Sequence, residues 1–253
     1  NWLNTTVGVP QGSVIAPMLF IFFITDMTEN LNFYITFADD LTMWVTSVNL
    51  IDAIHLTETN IKLLQNWCHR WRMSINIPKT DAMIHCPDNK SASANIKMDG
   101  TDLTIVTKKK CLGVILDKDL NFEEHTDYIC GIATSTAHGL SQFFEFSSIE
   151  TCLHLYKSLV RPHLERTFPL WCYSKSGVKK VEKIQRLSLL RATGAFSSIS
   201  TLALEVLVHI PRIQRRLQEF LVLEFVNILR APPEDPLRKL MESLRNDNIF
   251  LNY

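Results

Sequence analysis

After Asp119 the apolar residues of this chain recur at helical spacing and do not return to strand-like alternation. Glu123–Phe144, Glu150–Leu159, Val178–Thr193, Ile213–Leu229 and Pro236–Leu244 each read as a helix with an apolar stripe. Before that point short β-rich runs are interleaved with helical stretches. The change predicts a region of mixed strands and helices, α+β in class, over residues 1–120 and an all-α region over 121–253. At 253 residues, 46% hydrophobic and 21% charged, the chain can bury a core and is not a disordered one. There is no internal repeat and no low-complexity tract.

The first region opens on a turn, Gly8-Val9-Pro10-Gln11-Gly12-Ser13, with Ser13 as the expected N-cap of a helix over Val14 to Thr28. That helix is apolar nearly all round, so it is expected to be buried. Ile51 to Met73 has helical spacing, with Ile54, Ile61, Leu64, Trp67, Cys68 and Trp71 on one wide face. Ile75-Asn76-Ile77 and Ala82 to His85 read as short strands, with Pro78-Lys79-Thr80 between them and a polar loop over Pro87 to Ala94. Asn95 to Thr107 reads as a hairpin turning at Asp99-Gly100, and Cys111 to Leu116 as one buried strand.

Between the two long helices lie two apolar runs, Phe33 to Ala38 and Leu41 to Val45, joined by Asp39-Asp40. Read as a hairpin, this places two carboxylates side by side, and like charges ~4 Å apart repel by roughly 1 to 4 kcal/mol. A bare turn gains nothing from that repulsion, whereas a divalent cation reverses its sign. By itself an Asp-Asp pair is more often an ordinary acidic turn.

Formal net charge is zero, which conceals a division. Residues 1–150 hold 10 Lys/Arg against 17 Asp/Glu, and residues 151–253 hold 16 against 9. The basic excess lies between Lys157 and Arg191, where only Glu165 and Glu182 are acidic. This suits a metal-binding part joined to a polyanion-binding part, or two halves that attract each other. The six cysteines form no C-x-x-C pair, so neither a zinc site nor a disulfide framework follows, and reduced thiols are expected. The longest apolar stretch, Val14 to Ile24, contains Pro17 and is shorter than the roughly 20 residues of a membrane helix. No membrane partner and no signal peptide are expected.

The ordered blocks Gly8 to Ser13, Pro17-Met18-Leu19-Phe20 and Phe37-Ala38-Asp39-Asp40 together resemble the reverse transcriptases of non-LTR retrotransposons, of the jockey-like kind. The resemblance continues through Trp71 to Thr80, Cys111 to Asp117, Tyr156 to Pro162, Gln185-Arg186 to Ala195 and Leu204 to Pro211. It implies part of a right-hand polymerase palm, an antiparallel sheet with packed helices, then an all-α thumb and helical extension. It implies two-metal nucleotidyl transfer with magnesium, or manganese in its place, acting on deoxynucleoside triphosphates, an RNA template and a DNA primer.

Residue by residue, Asp39 is then a direct metal ligand and Asp40 an auxiliary one. Gln11, Gly12 and Ala38 lie near the templating base and incoming nucleotide, where small residues allow close approach. Lys79 either meets the triphosphate or is a surface lysine. Leu112 and Gly113 sit by the primer end, and His125 stands where these proteins often have a histidine without a catalytic role here. Lys179, Lys183 and Arg186 share a face of one helix and suit phosphate contacts. Trp171 and Tyr173 are open to stacking or burial, and Arg212, Arg215 and Arg216 to phosphate contact or solvation.

The resemblance also implies a third carboxylate, from a strand preceding the Pro-Gln block, and basic fingers; neither is found in this sequence, and Asp26 reads as a surface acid. The chain is therefore expected to be a fragment whose partner is the missing N-terminal part of the same polyprotein. Weak metal binding, negligible turnover alone and exposed apolar faces are expected of it. The alternative is a catalytically dead nucleic-acid-binding relic. Ile15-Ala16 before Pro17, Arg166-Thr167-Phe168 in place of a stretch that is often Tyr-Gly, and a short Ser197–Thr201 region depart from the family pattern. Cytoplasmic synthesis and nuclear action are family expectations.

Overall fold

A computed structural model describes residue 8 and residues 12–31, 33–85, 95–144 and 146–246. The polar loop expected over Pro87 to Ala94 lies outside the described residues, as does Gln11. The chain divides into two compact units, Asn1–Lys109 and Lys110–Tyr253.

In the first unit, helix α1 spans Ala16–Phe23, a 3-10 turn Thr25–Thr28 follows, and α2 runs Leu50–Arg70. Strands β1 (Tyr34–Phe37) and β2 (Asp40–Met43) form an antiparallel hairpin. β4 (Lys97–Met98) pairs with β5 (Thr101–Asp102), while β3 (Asp81–Ala82) pairs in parallel with β6 (Thr104–Ile105). The described strands thus make small two-stranded pieces rather than the single antiparallel sheet expected. Helix α2 organises them. Its Leu64, Trp67 and Cys68 pack with Ile24, and its Ile61 packs with Ile96, Met98 and Leu103. The expected face is confirmed there except at its end, where Trp71 is 45% exposed and meets Phe23 edge-on. Asp26 is not an idle surface acid: its Oδ1 accepts the Trp67 indole N–H at 2.9 Å and ties the 3-10 turn to α2.

Three local expectations differ. Ser13 does not cap α1 with its hydroxyl; Ile15 is the N-cap, the Ser13 carbonyl takes the Ala16 N–H, and Pro17 sets the first turn. α1 is exposed, not buried. Met18 is 71% and Phe22 82% accessible, because nothing among the described residues covers that side. The expected strand at Ile75 to Ile77 gives way to a 3-10 turn over Ile77–Lys79, since Pro78 fixes φ and donates no ladder hydrogen bond.

The second unit is helical beyond one hairpin. β7 (Lys108–Cys111) pairs with β8 (Val114–Asp117), so the division between units falls inside β7. The helices are α3 (Glu123–Phe144), α4 (Ile149–Leu155), α5 (Arg161–Glu165), α6 (Phe168–Trp171), α7 (Lys175–Thr193), α8 (Thr201–Leu207), α9 (Ile213–Arg230) and α10 (Pro236–Asn246). Between α4 and α5 the helix widens to a π-turn over Tyr156–Val160. Pro162 has no N–H to return to Ser158, which forces that local change. The core runs from Phe122 to Leu217 and includes Tyr156, Leu164, Trp171, Leu189 and Leu204, all fully buried. α7 approaches α3 at Gly177, where a Cβ would lie 2.9 Å from Thr126 Cγ2. Among the described residues no cysteine is in a disulfide, and no helix is long and apolar enough to cross a membrane.

Candidate active site and nucleic-acid surface

The acidic hairpin is displaced by one residue from its sequence expectation. Phe37 pairs with Asp40, so the two central residues are Ala38 and Asp39. Ala38 takes positive φ, +52°, which costs an L-residue about 1 kcal/mol. Asp39 therefore sits at the tip and Asp40 opens β2. Leu41 and Met43 reach the two clusters around α2, and by strand alternation Asp40 faces outward with Ile35, Phe37 and Thr42. Both carboxylates are exposed. Phe33 and Trp44 stack at 6.0 Å across the open end, and the Trp44 N–H donates to the Phe33 carbonyl at 3.1 Å.

The hairpin brings Ala38, Asp39 and Asp40 together. Gly12 lies in the turn before α1 at φ +85°, and Lys79 ends the 3-10 turn with an exposed side chain. No group of three or more His, Cys, Asp or Glu side chains suited to one metal ion occurs among the described residues. The two hard carboxylates of the hairpin suit an ion that keeps several waters and binds phosphate oxygens as well.

Leu112 and Gly113 are not inside a buried strand. They form the turn of the β7–β8 hairpin with φ of +48° and +88°, a two-residue connection that Gly113 makes accessible. Both border a cavity of about 170 Å³ with His125, Tyr128, Arg166 and Thr167. His125 is fully buried at its floor. Its Nδ1 accepts the Ile115 N–H at 3.3 Å, so Nε2 carries the proton and donates to Thr167 Oγ1 at 2.8 Å. Burial holds His125 below the usual imidazole range, and Lys110 pushes the same way. The unfolded chain then takes up the proton first as pH falls. The stability contributed by neutral His125 is complete above about pH 6.5 and declines below it. In urea unfolding between pH 7.5 and 5.5, wild type is expected to lose more stability than His125→Gln; equal losses would assign the slope to other groups.

On α7, Lys175, Lys179 and Lys183 are exposed at four-residue intervals, so the expected stripe of Lys179, Lys183 and Arg186 gains Lys175 and loses Arg186. Lys180 is drawn aside by Asp127. Arg186 is committed to protein: its guanidinium donates to Thr201 Oγ1 at 2.9 Å and to the Ser197 and Ile199 carbonyls at 2.8 Å each. Arg212, Arg215 and Arg216 are likewise engaged by Glu205, Glu219 and Glu165. Trp171 is wholly buried against Phe168, whereas Tyr173 is exposed and donates its hydroxyl to the Leu120 carbonyl at 2.5 Å. Sequence reasoning missed a buried polar chain, in which Tyr156 donates to Gln185 at 2.8 Å and Gln185 to Glu205 at 3.0 Å and to the Pro211 carbonyl at 3.1 Å. The only sequence signal was three polar residues at positions the helical period assigns to the core.

Residues 1–116 match the reverse transcriptase (RNA-dependent DNA polymerase) family. The chain is 26% identical over 231 residues to the RNA-directed DNA polymerase from mobile element jockey of Drosophila funebris, covering 84% of the chain and 24% of that protein. It is 25% identical over 248 residues to the jockey polymerase of Drosophila melanogaster, covering 92% of the chain and 27% of that protein. A probable RNA-directed DNA polymerase from transposon X-element of Drosophila melanogaster is 26% identical over 192 residues, 72% of the chain and 21% of that protein. The chain therefore spans about a quarter of the length of these relatives. No solved structure matches it.

Proposed function

We propose, from the membership of residues 1–116 in the reverse transcriptase family and the relationship of the chain to the polymerases of non-LTR retrotransposons, that it supplies part of an RNA-directed DNA polymerase. Residues 1–120 act as part of the palm, and residues 121–253 as thumb and helical extension. The family generally uses divalent metal ions. In this chain Asp39 and Asp40 would hold magnesium, or manganese in its place, and that ion would stabilise charge on the transferring phosphoryl group. The observation carrying the assignment is the hairpin, which presents both carboxylates outward from a face anchored on α2.

Gly12, Ala38 and Lys79 serve the template and the incoming deoxynucleoside triphosphate, and Gln11, outside the described residues, is assigned the same role. Leu112 and Gly113 lie by the primer end. Lys179 and Lys183, with Lys175, follow the backbone of the RNA template and DNA primer as point charges. Arg186 acts indirectly, by holding the 197–201 loop beside α8. The remaining length of the polyprotein is the partner that completes the site.

The test is RNA-templated primer extension by a chimera in which this chain replaces the matching quarter of the jockey polymerase. Asp39→Ala is expected to lower extension by at least about 10²-fold, since a metal clamp contributes several kcal/mol in the transition state, while duplex binding persists. Extension unaffected by Asp39→Ala overturns the metal assignment. Duplex binding without extension in the parent chimera favours the non-catalytic nucleic-acid-binding reading.

A further inference from the structure

The cavity beside the Leu112–Gly113 turn has properties that its family relationship does not assign. Nine residues line it, and none is acidic. Arg166 and His163 stand on it with exposed side chains, and neither is engaged by an acid among the described residues. That sets Arg166 apart from Arg186, Arg212, Arg215 and Arg216, each of which is occupied by protein. Of the nearby acids, Asp127 pairs with Lys180, and Glu165 with Arg161 and Arg216. Lys110 adds a second cation close by, donating to the Tyr128 hydroxyl at 2.6 Å. The floor is the neutral His125, whose nitrogens are both engaged, so it offers no competing charge.

Size narrows the ligand. At about 170 Å³ the cavity is smaller than the roughly 300 Å³ at which whole small-molecule sites begin, so it suits one chemical group rather than a nucleoside. An uncommitted guanidinium beside an imidazole, without an acid, selects an oxyanion with geometry matched to a fork of N–H donors. We propose that this cavity seats one backbone phosphate of a nucleic-acid strand, held by Arg166 with His163. The site deepens the polymerase reading and rests on it for the choice of a strand over a free anion.

The experiment is a salt titration of the full chain binding a fluorescein-labelled RNA–DNA duplex, for wild type, Arg166→Gln, Ile132→Phe and Lys179→Gln. Arg166→Gln is expected to reduce the slope of log K against log salt by about 0.9, the share of one phosphate, with an unchanged thermal midpoint. Ile132→Phe fills the cavity with every charge in place and should reduce it equally. A reduced slope in Arg166→Gln alone would mean an open surface charge and overturns the cavity. An unchanged slope in Arg166→Gln, beside a reduced one in Lys179→Gln, overturns the site and leaves duplex binding standing. Loss of inorganic phosphate binding in Arg166→Gln with an unchanged duplex slope overturns the strand in favour of a free anion. No salt-dependent binding by wild type overturns both the site and the duplex reading.

Discussion

Gln185→Leu is expected to destabilise the helical unit by about 4 kcal/mol, because one truncation strands three buried groups at about 1–3 kcal/mol each, offset in part by the apolar replacement. Tyr156, fully buried, loses its acceptor at 2.8 Å; Glu205 and the Pro211 carbonyl lose their donor at 3.0 and 3.1 Å. Burial pushes the Tyr156 hydroxyl above the usual phenol range, so it stays a donor around neutral pH. Glu205 is the most costly of the three, being a charge 6% exposed whose second oxygen has Arg212 Nε only at 3.6 Å. For a unit of this size the loss corresponds to a fall in thermal midpoint of roughly 8–16 °C, readable by far-ultraviolet circular dichroism. Tyr156→Phe should cost far less, about 1 kcal/mol, because Gln185 keeps its other partners. A midpoint for Gln185→Leu within 2 °C of wild type would show that the chain of hydrogen bonds contributes little.

The same network illustrates what the sequence could and could not reveal. The period of 3.6 placed α3 at its observed bounds, because Ile129, Cys130, Ala133, Ala137, Leu140 and Phe144 recur on one side of it and all are buried. It could not place Gln185 or Ser188 in the core, since a polar side chain at an apolar position carries no mark of its partner. Turn chemistry was legible where both central residues are strong turn formers, as at Asp99-Gly100, whose φ values are +50° and +74°. It was misread at Leu112-Gly113, because a leucine inside a run of Cys, Val, Ile and Leu looks like strand interior, and only Gly113 signals the reversal. The acidic hairpin was legible as a pair of strands, but its register was not. Alternation fits either turn, and the observed one puts positive φ on Ala38 rather than on an aspartate.

The candidate site follows the same division. Adjacent carboxylates and the exposed pair Lys179 and Lys183 are local features, and both were readable. The engagement of Arg186 was not, because its three acceptors come from a loop 11 to 15 residues away whose course depends on the packing of α8. Charge periodicity counts arginines without distinguishing one facing solvent from one closing a loop. The exposure of α1 is a different case. Its composition calls for burial, and nothing among the described residues provides it.

Asp117→Ala is expected to cost about 3 kcal/mol, by a route that acts on the backbone rather than the core. The carboxylate is buried and accepts three main-chain N–H groups, from Asp119 at 3.0 Å and Asn121 at 3.1 Å on Oδ1, and from Phe122 at 2.8 Å on Oδ2. The loop it organises holds Leu120 at φ +52° and Phe122 at +55°, conformations that L-residues leave when released. With alanine, water replaces part of the lost acceptance and nothing opposes relaxation of the two strained residues. Phe122 would shift, and with it the Thr126 N–H that donates to its carbonyl at 2.9 Å, so the start of α3 would fray. Asp117→Asn separates charge from shape. Its oxygen can replace Oδ1, but its amide would set a donor against the Phe122 N–H, and a loss of about 2 kcal/mol is expected. Urea unfolding of the two variants decides the matter. If Asn equals wild type, the carboxylate's second oxygen is dispensable; if Ala and Asn are equal, the Oδ1 contacts are. The ordering wild type, Asn, Ala, with faster amide exchange at Asp119, Asn121 and Phe122 in the alanine variant, is what a side chain folding its own loop requires. His125 and Tyr128 follow directly on α3, so the same fraying should loosen the floor of the phosphate cavity and lower duplex affinity without touching a basic residue.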